Sequence, residues 1–338
     1  MANDSPRKHK RSGSSSRWLL RAASVAMLVA VLGGFFGSIH PVIDLISHYQ
    51  VHMLFGGLTL LGLIALRKDR KAGVLVTLLC TVTALRLAPF WIADEPRIEG
   101  FTLRVMSANV QAQNPYTRPF LDEVERVSPD VIAVIEVTER WARAVEPLQQ
   151  EYPFTITSRS QDDRKYGVTI LSRYEIEPIP LSPELGALAF RGAAATVQTP
   201  AGPVRVVAVH PRPPTGIAAS RQRDAQLTLV NELVRQFQAN EPTIVLGDIN
   251  ATPWSHGYRL LIKGTTLRNT RRGSGIMGSW HSAIPSALRI PIDHILVNDP
   301  VGVSAIELGT DIGSDHLPVI ADLVIPQAVR VSDSDPAQ

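Results

Sequence analysis

Polar side chains that can bind a metal ion or move a proton recur along the chain, each beside a short apolar run. Carboxylates and carboxamides dominate the set, which also holds two histidines: Asn109, Glu136, His210, Asp248, Asn250, Asp293, Asp315 and His316. Each residue alone has a structural explanation, such as a turn cap or a buried hydrogen-bond acceptor. Together they indicate a hydrolytic metal site, because carboxylate and amide oxygens suit a hard cation such as Mg²⁺. The single cysteine and the lack of a His-Glu-x-x-His motif argue against zinc.

The chemistry that such a set serves is the hydrolysis of a phosphoester. Hydrolysis adds negative charge to the phosphoryl oxygens, and a bound Mg²⁺ or Mn²⁺ offsets it by several kcal/mol. Asp248 can take a proton from the attacking water, a general-base role usually worth about 10²–10⁴-fold. A His316 that Asp293 keeps protonated supplies a positive donor to the phosphate, and His210 can protonate the leaving group.

Two further features are weaker candidates. Trp280 lies between the acidic motifs, and it is interpreted either as a substrate-binding aromatic residue or as an ordinary buried one. Arg221 and Arg223 begin the polar face of a predicted helix, where a solvated face is favoured over the steering of phosphates.

Short apolar runs predict the elements that position these residues. Their lengths and the turn residues between them indicate strands at 101–109, 131–136, 154–158, 167–172, 193–198, 204–210, 243–246, 292–297 and 319–324, and helices at 118–127 and 217–238. No internal repeat is evident. Many short strands with few helices predict a four-layer α/β sandwich, in which two mainly antiparallel sheets pack together between outer helices over residues 101–325.

The motifs, in this order, resemble a known superfamily. The runs are Ser-Ala-Asn-Val at 107–110, Val-Ile-Glu at 134–136, Val-His-Pro at 209–211, Leu-Gly-Asp-Ile-Asn-Ala at 246–251, Ile-Asp-His-Ile at 292–295 and Gly-Ser-Asp-His-Leu-Pro at 313–318. Together they resemble the endonuclease/exonuclease/phosphatase superfamily, which includes pancreatic-type deoxyribonucleases, apurinic-site endonucleases, neutral sphingomyelinases and inositol-polyphosphate 5-phosphatases. The resemblance covers residues 101–325 and nothing before them.

This resemblance implies a metal site with a definite set of residues. Glu136 matches the principal metal-binding glutamate, and Asn109 matches the asparagine beside it. Asp315 matches an aspartate that supports the metal or the neighbouring histidine. The implied cofactor is Mg²⁺ or Mn²⁺.

The resemblance also implies which residues act on the phosphate. Asp248 and Asn250 match the pair that activates the water and binds the phosphate. His316 matches the histidine at the scissile phosphate, and Asp293 matches the carboxylate bonded to it. His210 occupies a position where some members have histidine and others have tyrosine.

The first 93 residues differ in kind from the rest. Residues 1–17 are polar and basic, which predicts a disordered cytoplasmic tail. Apolar runs of about membrane-spanning length follow at 18–39, 46–66 and 72–93, and they predict three transmembrane helices in the lipid bilayer. Residues 94–100 form a predicted linker, and residues 326–338 form a predicted flexible tail.

Basic residues predict the orientation of these helices. Lys and Arg cluster in the N-terminal tail and in the turn at 67–71, whereas the segment between the first two runs has none. Because basic loops stay in the cytoplasm, the predicted location is the inner or plasma membrane with residues 94–338 periplasmic or extracellular. The alternative for the first run is a cleaved signal peptide, although no small-residue cleavage site closes it.

The charge distribution bears on the substrate. Residues 1–93 carry 11 Lys and Arg against 3 Asp and Glu, whereas residues 94–338 carry 23 against 28. An acidic domain lacks the basic footprint typical of nucleic-acid binding. A nucleic acid, a lipid headgroup and a small phosphodiester therefore all stay open as substrates, and no protein partner is implied. The alternative function is a catalytically inactive membrane-bound binding or signalling protein on the same fold.

Overall fold

The computed structural model describes residues 12–92, 98–159, 167–188 and 190–327. Most of the predicted N-terminal tail, linker and C-terminal tail therefore lies outside the described residues. The chain divides into two compact units, Met1–Pro89 and Phe90–Gln338. Among its described residues, the first unit contains four helices: α1 (Ser12–Gly33), α2 (Pro41–Ser47), α3 (Gln50–Arg67) and α4 (Arg70–Leu87).

Two helices of the first unit are long and apolar enough to cross a membrane, by length and composition, among the described residues. Their windows are Ser16–Gly33 and Gln50–Arg67. The first helix ends earlier than the predicted span, because glycines at 33 and 34 weaken it and Pro41 starts α2. Helix α4 carries three basic residues and falls outside this criterion, so the third span stays a prediction.

The turn between α3 and α4 is stabilised by a left-handed residue and by the hydrogen bonds of the Asp69 carboxylate. Lys68 ends α3 in the left-handed conformation with φ +55°, and the Asp69 carboxylate accepts the Ala72 amide at 3.4 Å to cap α4. The same carboxylate accepts the Arg21 Nε at 2.7 Å. Arg21, in the N-terminal half of α1, therefore lies beside the basic turn at 67–71.

The second unit begins with a short helix and continues as an α/β domain. In chain order its elements are α5 (Pro89–Ile92), β1 (Phe101–Asn109), α6 (Arg118–Val127), β2 (Val131–Val137), α7 (Glu139–Val145), β3 (Phe154–Arg159), β4 (Gly167–Ser172), β5 (Ile176–Pro178), α8 (Pro183–Ala187), β6 (Arg191–Thr199), β7 (Gly202–His210), α9 (Ile217–Gln236), β8 (Thr243–Asp248), α10 (His256–Ile262), β9 (Arg268–Asn269), β10 (Asp293–Val297), β11 (Gly302–Leu308) and β12 (Val319–Ile325). Single 3₁₀ turns occupy Glu146–Gln150 and Ser286–Leu288.

The strands form two six-stranded sheets with the same plan. The first has the order β11-β12-β1-β2-β4-β3, and the second has the order β5-β6-β7-β8-β10-β9. Each sheet has one parallel pair at its centre, β1 with β2 and β7 with β8, and all other pairs are antiparallel. A helix joins each parallel pair, α6 in the first sheet and α9 in the second, as a crossover of this kind requires.

The buried side chains confirm the predicted four layers. A core that includes Leu103, Ile135, Val206 and Leu246 lies between the two sheets. A second core packs β1 and β2 against α6 and α7, and a third packs β7 and β8 against α9 and α10. Every predicted strand is present within a few residues of its predicted bounds, as are both predicted helices. Strands β5, β9 and β11 and helices α7, α8 and α10 escaped prediction because they are short or exposed.

Gly247, in the run before Asp248, holds β8 tightly against β7. Its φ is +141°, and an added Cβ would clash with the backbone carbonyl oxygen of Val209. We therefore expect Gly247→Ala to destabilise the domain by about 2 kcal/mol or more, from backbone strain plus the clash. Thermal unfolding of the full chain in detergent measures this change.

The matched control is Gly264→Ala. Gly264 also has a positive φ of +68°, but its nearest neighbours to an added Cβ lie at 3.9 and 4.0 Å. Strain without a clash should cost about 1 kcal/mol. Equal effects of the two substitutions would show that the close approach of β8 to β7 is unimportant.

Candidate active site

Four of the predicted site residues lie where the central strands end. Asn109 ends β1, His210 ends β7 and Asp248 ends β8, while Glu136 is the penultimate residue of β2. The carboxyl ends of parallel strands meet at one edge of each sheet. The two edges face each other, since the Asn109 Nδ2 in the first sheet donates to the Asp248 Oδ2 in the second at 3.1 Å.

Glu136 lies in a β-bulge that redirects its side chain. The pairing of β2 with β4 shifts register between Ile135 and Val137, and Glu136 has φ +68°. A non-glycine residue in this region is strained, and such strain concentrates at functional sites. The Glu136 Oε2 accepts the Ala112 amide at 2.8 Å, and the side chain stays 18% exposed. The bulge therefore presents a partly exposed carboxylate at the sheet edge.

Asn109 connects the two acidic residues of the central strands. Its Nδ2 donates to the Glu136 Oε1 at 3.3 Å as well as to Asp248, and its Oδ1 accepts the Gln111 amide at 3.0 Å. In this orientation the amide group separates two carboxylates that would otherwise repel each other.

Asp248 and Asn250 form a compact turn after β8. The Asp248 Oδ1 accepts the Asn250 amide at 3.0 Å, and Asn250 adopts φ +55°. The Asn250 Nδ2 donates to the Pro211 carbonyl at 3.2 Å, and the Asn250 carbonyl accepts the Arg223 Nη1 at 3.1 Å. Arg223 is buried, and its Nε and Nη2 both donate to the Asp224 Oδ1, so the prediction of a solvated face is wrong for Arg223. It is correct for Arg221, which is exposed.

His316 and Asp293 form a buried pair at the same edge. Asp293 begins β10 directly opposite Asp248 in the antiparallel register. The His316 Nδ1 donates to the Asp293 carboxylate at 2.9 and 3.1 Å, which leaves the Nε2 3.8 Å from the Asp248 Oδ2. The Ser279 hydroxyl donates to the Asp293 Oδ2 at 2.6 Å and fixes the carboxylate from behind.

The pKa values of these groups are shifted far from their usual ranges. Burial alone would lower the pKa of His316, but the charges of Asp293 and Asp248 outweigh it and raise that pKa to about 10. Burial would likewise raise the pKa of Asp293, but the charge and hydrogen bond of His316 outweigh it and lower that pKa. Burial raises the pKa of Asp248 to about 7. His316 is therefore a cation at neutral pH, and Asp248 is close to its titration point.

His210 has the opposite protonation state. Burial lowers its pKa to about 4, so the imidazole is neutral at physiological pH. Its Nε2 lies 3.7 Å from both the Glu136 Oε1 and the Asp248 Oδ2. The structure brings His210 into the site. A neutral imidazole has no extra proton to give, so the charged His316 is the better proton donor.

Asp315 and Trp280 form the wall beside His316. The Trp280 Nε1 donates to the Asp315 Oδ2 at 3.2 Å, and the other carboxylate oxygen lies 3.9 Å from the His316 Nε2. The Trp280 backbone forms bridges with Ile290 and His316. Both predicted residues are therefore near the histidine, and the indole is half-buried.

Two serines complete the site, and sequence reasoning gave them no role. The Ser314 hydroxyl donates to the Asn109 carbonyl at 2.7 Å and accepts the His316 amide at 3.1 Å, which ties the end of β1 to the histidine loop. Ser279 holds Asp293 in the same manner. Ser314 lies inside the quoted motif at 313–318 and Ser279 directly precedes Trp280, but a hydroxyl in a loop gives no sign of its partner.

Two places offer oxygen ligands for a metal ion. Asp248, Asp293 and His316 have ligand atoms within 4.8 Å of one another. In that group the Asp293 carboxylate already accepts the His316 Nδ1 and the Ser279 hydroxyl, which reduces its capacity to bind a cation. Glu136 has a more exposed carboxylate, and the groups beside it are the Asn109 side-chain amide and the His210 Nε2, which lies 3.7 Å from the Glu136 Oε1. The residues present therefore fit a hard divalent cation.

The fold and site define an α/β-sandwich protein with a carboxylate- and histidine-lined centre at one edge of its two sheets. The sequence profile described as Endonuclease/Exonuclease/phosphatase family matches residues 106–316. The chain belongs to this family, as its motifs predicted. No curated protein matches the chain in sequence.

Solved structures share the fold at low sequence identity. An endonuclease/exonuclease/phosphatase from Beutenbergia cavernae is 21% identical with TM-score 0.53, over 67% of this chain and 72% of that one. D. rerio TDP2 complexed with a single-strand DNA product is 16% identical with TM-score 0.52, over 66% and 98%. The human nocturnin catalytic domain with bound sulfate is 18% identical with TM-score 0.54, over 67% and 96%. These similarities establish the fold.

Proposed function

We propose that this chain is a membrane-anchored, divalent-cation-dependent phosphodiesterase. The observation that carries the proposal is the buried His316–Asp293 pair, whose cationic imidazole lies 3.8 Å from the Asp248 carboxylate at the same edge as Glu136. A fixed positive donor beside a carboxylate that titrates near neutral pH suits the hydrolysis of a phosphate diester. Family membership supports the same reaction class.

The proposed cation site centres on Glu136. Its charge would hold Mg²⁺ or Mn²⁺, Asn109 would position the carboxylate, and Asp315 would contribute from the histidine side. When bound, the cation supplies neutralisation of the charge that develops on the phosphoryl oxygens. Mg²⁺ or Mn²⁺ is favoured over Zn²⁺ because carboxylate oxygens dominate the donors around Glu136.

The proton steps follow from the pKa values of the chain's own groups. Asp248, with a pKa of about 7, is matched to take a proton from water at neutral pH. His316 donates a charged hydrogen bond to a phosphoryl oxygen, and Asp293 keeps it charged and oriented. Asn250 binds the phosphate next to Asp248. The neutral His210 lines the site beside Glu136 and Asp248 without transferring a proton.

A substrate panel tests the reaction class. The full chain in detergent, with Mg²⁺ or Mn²⁺, should hydrolyse at least one of bis(p-nitrophenyl) phosphate, single-stranded DNA, RNA and phospholipids, and EDTA should abolish that activity. Turnover undiminished by EDTA would contradict the cation site. No turnover of any substrate would favour the inactive binding protein.

The proposed location is a membrane, with the catalytic domain outside the cytoplasm. The two apolar helices support membrane attachment, and the Arg21–Asp69 ion pair supports a common side for the N-terminal half of α1 and the basic turn. Basic residues at both places favour the cytoplasmic side. With a third span through α4, residues 98–327 would then be periplasmic or extracellular.

Reporter fusions test this topology. A reporter that is active only outside the cytoplasm, fused after Ile325 at the end of β12, should be active. The same reporter fused within the basic turn at Lys68 should be inactive. A cytoplasmic reporter active at Ile325 would overturn the three-span arrangement and remove extracellular phosphoesters as substrates.

A further inference from the structure

A loop beside the site exposes apolar side chains that the proposed reaction does not use. Residues 282–288, here called the apolar loop, have the sequence Ser-Ala-Ile-Pro-Ser-Ala-Leu and contain no charged residue. Ile284 is 38% exposed and Leu288 is 49% exposed, and the residues from 283 to 288 are all exposed. These two side chains give the exposed end of the loop an apolar surface.

The apolar loop is attached directly to the catalytic residues. The Ser282 amide donates to the Asp315 carbonyl at 2.8 Å, and the Ser282 hydroxyl donates to the Ser314 carbonyl at 2.6 Å. At its other end, Ile290 and Trp280 exchange backbone hydrogen bonds of 2.6 and 3.1 Å. The base of the loop is therefore the same structure that holds Asp315 and the His316 backbone.

Arg289, the residue that directly follows the apolar loop, bonds back to the loop backbone. The Arg289 Nε donates to the Ile284 carbonyl at 2.8 Å, and its Nη2 donates to the Ser282 carbonyl at 2.8 Å. These bonds connect the two ends of the loop and stabilise its conformation, in which Ile284 and Leu288 are exposed. They also hold the Arg289 guanidinium against the loop backbone, so the tip at 283–288 itself carries only uncharged side chains.

From this arrangement we infer that the apolar loop inserts into a lipid surface and presents lipid-headgroup phosphoesters to the site. An uncharged tip suits the apolar boundary of a bilayer and is unsuited to the phosphates of a nucleic acid. The chain also carries two helices that are long and apolar enough to cross a membrane, which would keep the domain close to a bilayer. This inference rests on the proposed phosphodiesterase function and narrows its substrate.

Insertion is measured with the full chain reconstituted in vesicles of phosphatidylcholine, phosphatidylglycerol and phosphatidylinositol. An environment-sensitive fluorophore on Ala287→Cys should report an apolar surrounding and be quenched by spin-labelled lipids. The same label on Asp299→Cys, in an exposed turn after the opposite end of β10, should stay in water. The unaltered chain, whose single Cys80 is buried, gives the background labelling. A fluorophore at 287 that stays in water overturns the inference and favours a protein partner for the loop.

Catalysis is measured in the same vesicles. The double substitution Ile284→Ser with Leu288→Ser should lower the release of headgroup phosphate about tenfold or more, by removing the burial of two apolar side chains. It should leave the hydrolysis of soluble bis(p-nitrophenyl) phosphate within about twofold. Phe154→Ser, which removes an exposed aromatic residue at the far end of β3, should leave both activities unchanged.

The two substrates separate the two hypotheses. Loss of neither activity in the double variant overturns the role of the apolar loop and leaves the phosphodiesterase function in place. Soluble turnover without release of any of the three headgroups overturns the lipid substrate. Absence of both activities in the unaltered chain contradicts the proposed function, while the fluorophore still reports whether the loop inserts.

Discussion

Replacement of His316 by Ala should lower phosphodiester turnover by about 10²-fold or more. The substitution removes an imidazole whose pKa is raised to about 10 and which supplies the positive donor to the phosphate. Asp248→Asn should cause a loss of the same order, because an amide cannot accept a proton from water. Initial rates with bis(p-nitrophenyl) phosphate at saturating Mg²⁺ measure both losses, and added metal should restore neither.

Asp293→Asn provides an intermediate case. It keeps a hydrogen-bond acceptor for the His316 Nδ1 but removes the charge that raises the pKa of the imidazole, so its loss should be smaller than that of His316→Ala. Asp299→Asn is the matched control, since this exposed aspartate follows the other end of β10. Asp299→Asn should keep full activity.

The activity losses of these variants are attributable to the site only if the variants remain folded. Because burial raises the pKa of Asp248 above its unfolded value, the ionised carboxylate is unfavourable in the folded state above about pH 4. Asp248→Asn should therefore melt no lower than the unaltered chain. Near-normal rates for both His316→Ala and Asp248→Asn in folded protein would place the active site elsewhere.

Replacement of Glu136 by Gln should have the second large effect, a steep loss of activity that high Mg²⁺ or Mn²⁺ partly restores. The amide keeps the size of the side chain, and its oxygen can still accept the Ala112 amide, so the bulge should survive. The lost negative charge weakens cation binding, which raises the metal concentration needed for half-maximal activity. A titration of activity with each metal measures that concentration.

Glu139→Gln is the matched control for this substitution. Glu139 lies three residues further along the chain, in the first turn of α7, and is exposed. Its half-maximal metal concentration should not change. If Glu136→Gln lost activity without any change in metal dependence, the cation would instead belong with Asp248, Asp293 and His316. The two candidate metal positions are thus distinguished by one titration.

Local sequence determined which residues form the strands and the site. Apolar runs bounded by turn residues predicted the strands, since burial between sheets requires such runs whatever the partners. Short motifs predicted that Asn109, Glu136, His210 and Asp248 follow these runs. The uneven distribution of basic and apolar residues likewise predicted a separate N-terminal unit, and the structure divides the chain at Pro89.

Pairing between strands could not be deduced from the sequence. The two sheets have the same strand plan, with one parallel pair each, yet no repeat is visible in the sequence. The order of strands in a sheet depends on which backbones pair. Many different apolar side chains are compatible with the same order, so the sequence does not reveal it. The short edge strands were missed for a related reason, because their stability comes from a neighbouring strand.

The sequence by itself determined the family, the two-part chain and the residue types of the site. Only the tertiary structure decided how these residues are charged and held. The shift of His316 toward the cationic form and of His210 toward the neutral form depends on burial and on neighbours that are far apart in sequence. The same is true of the burial of Arg223 and of the bulge at Glu136, because both arise from contacts between separate elements.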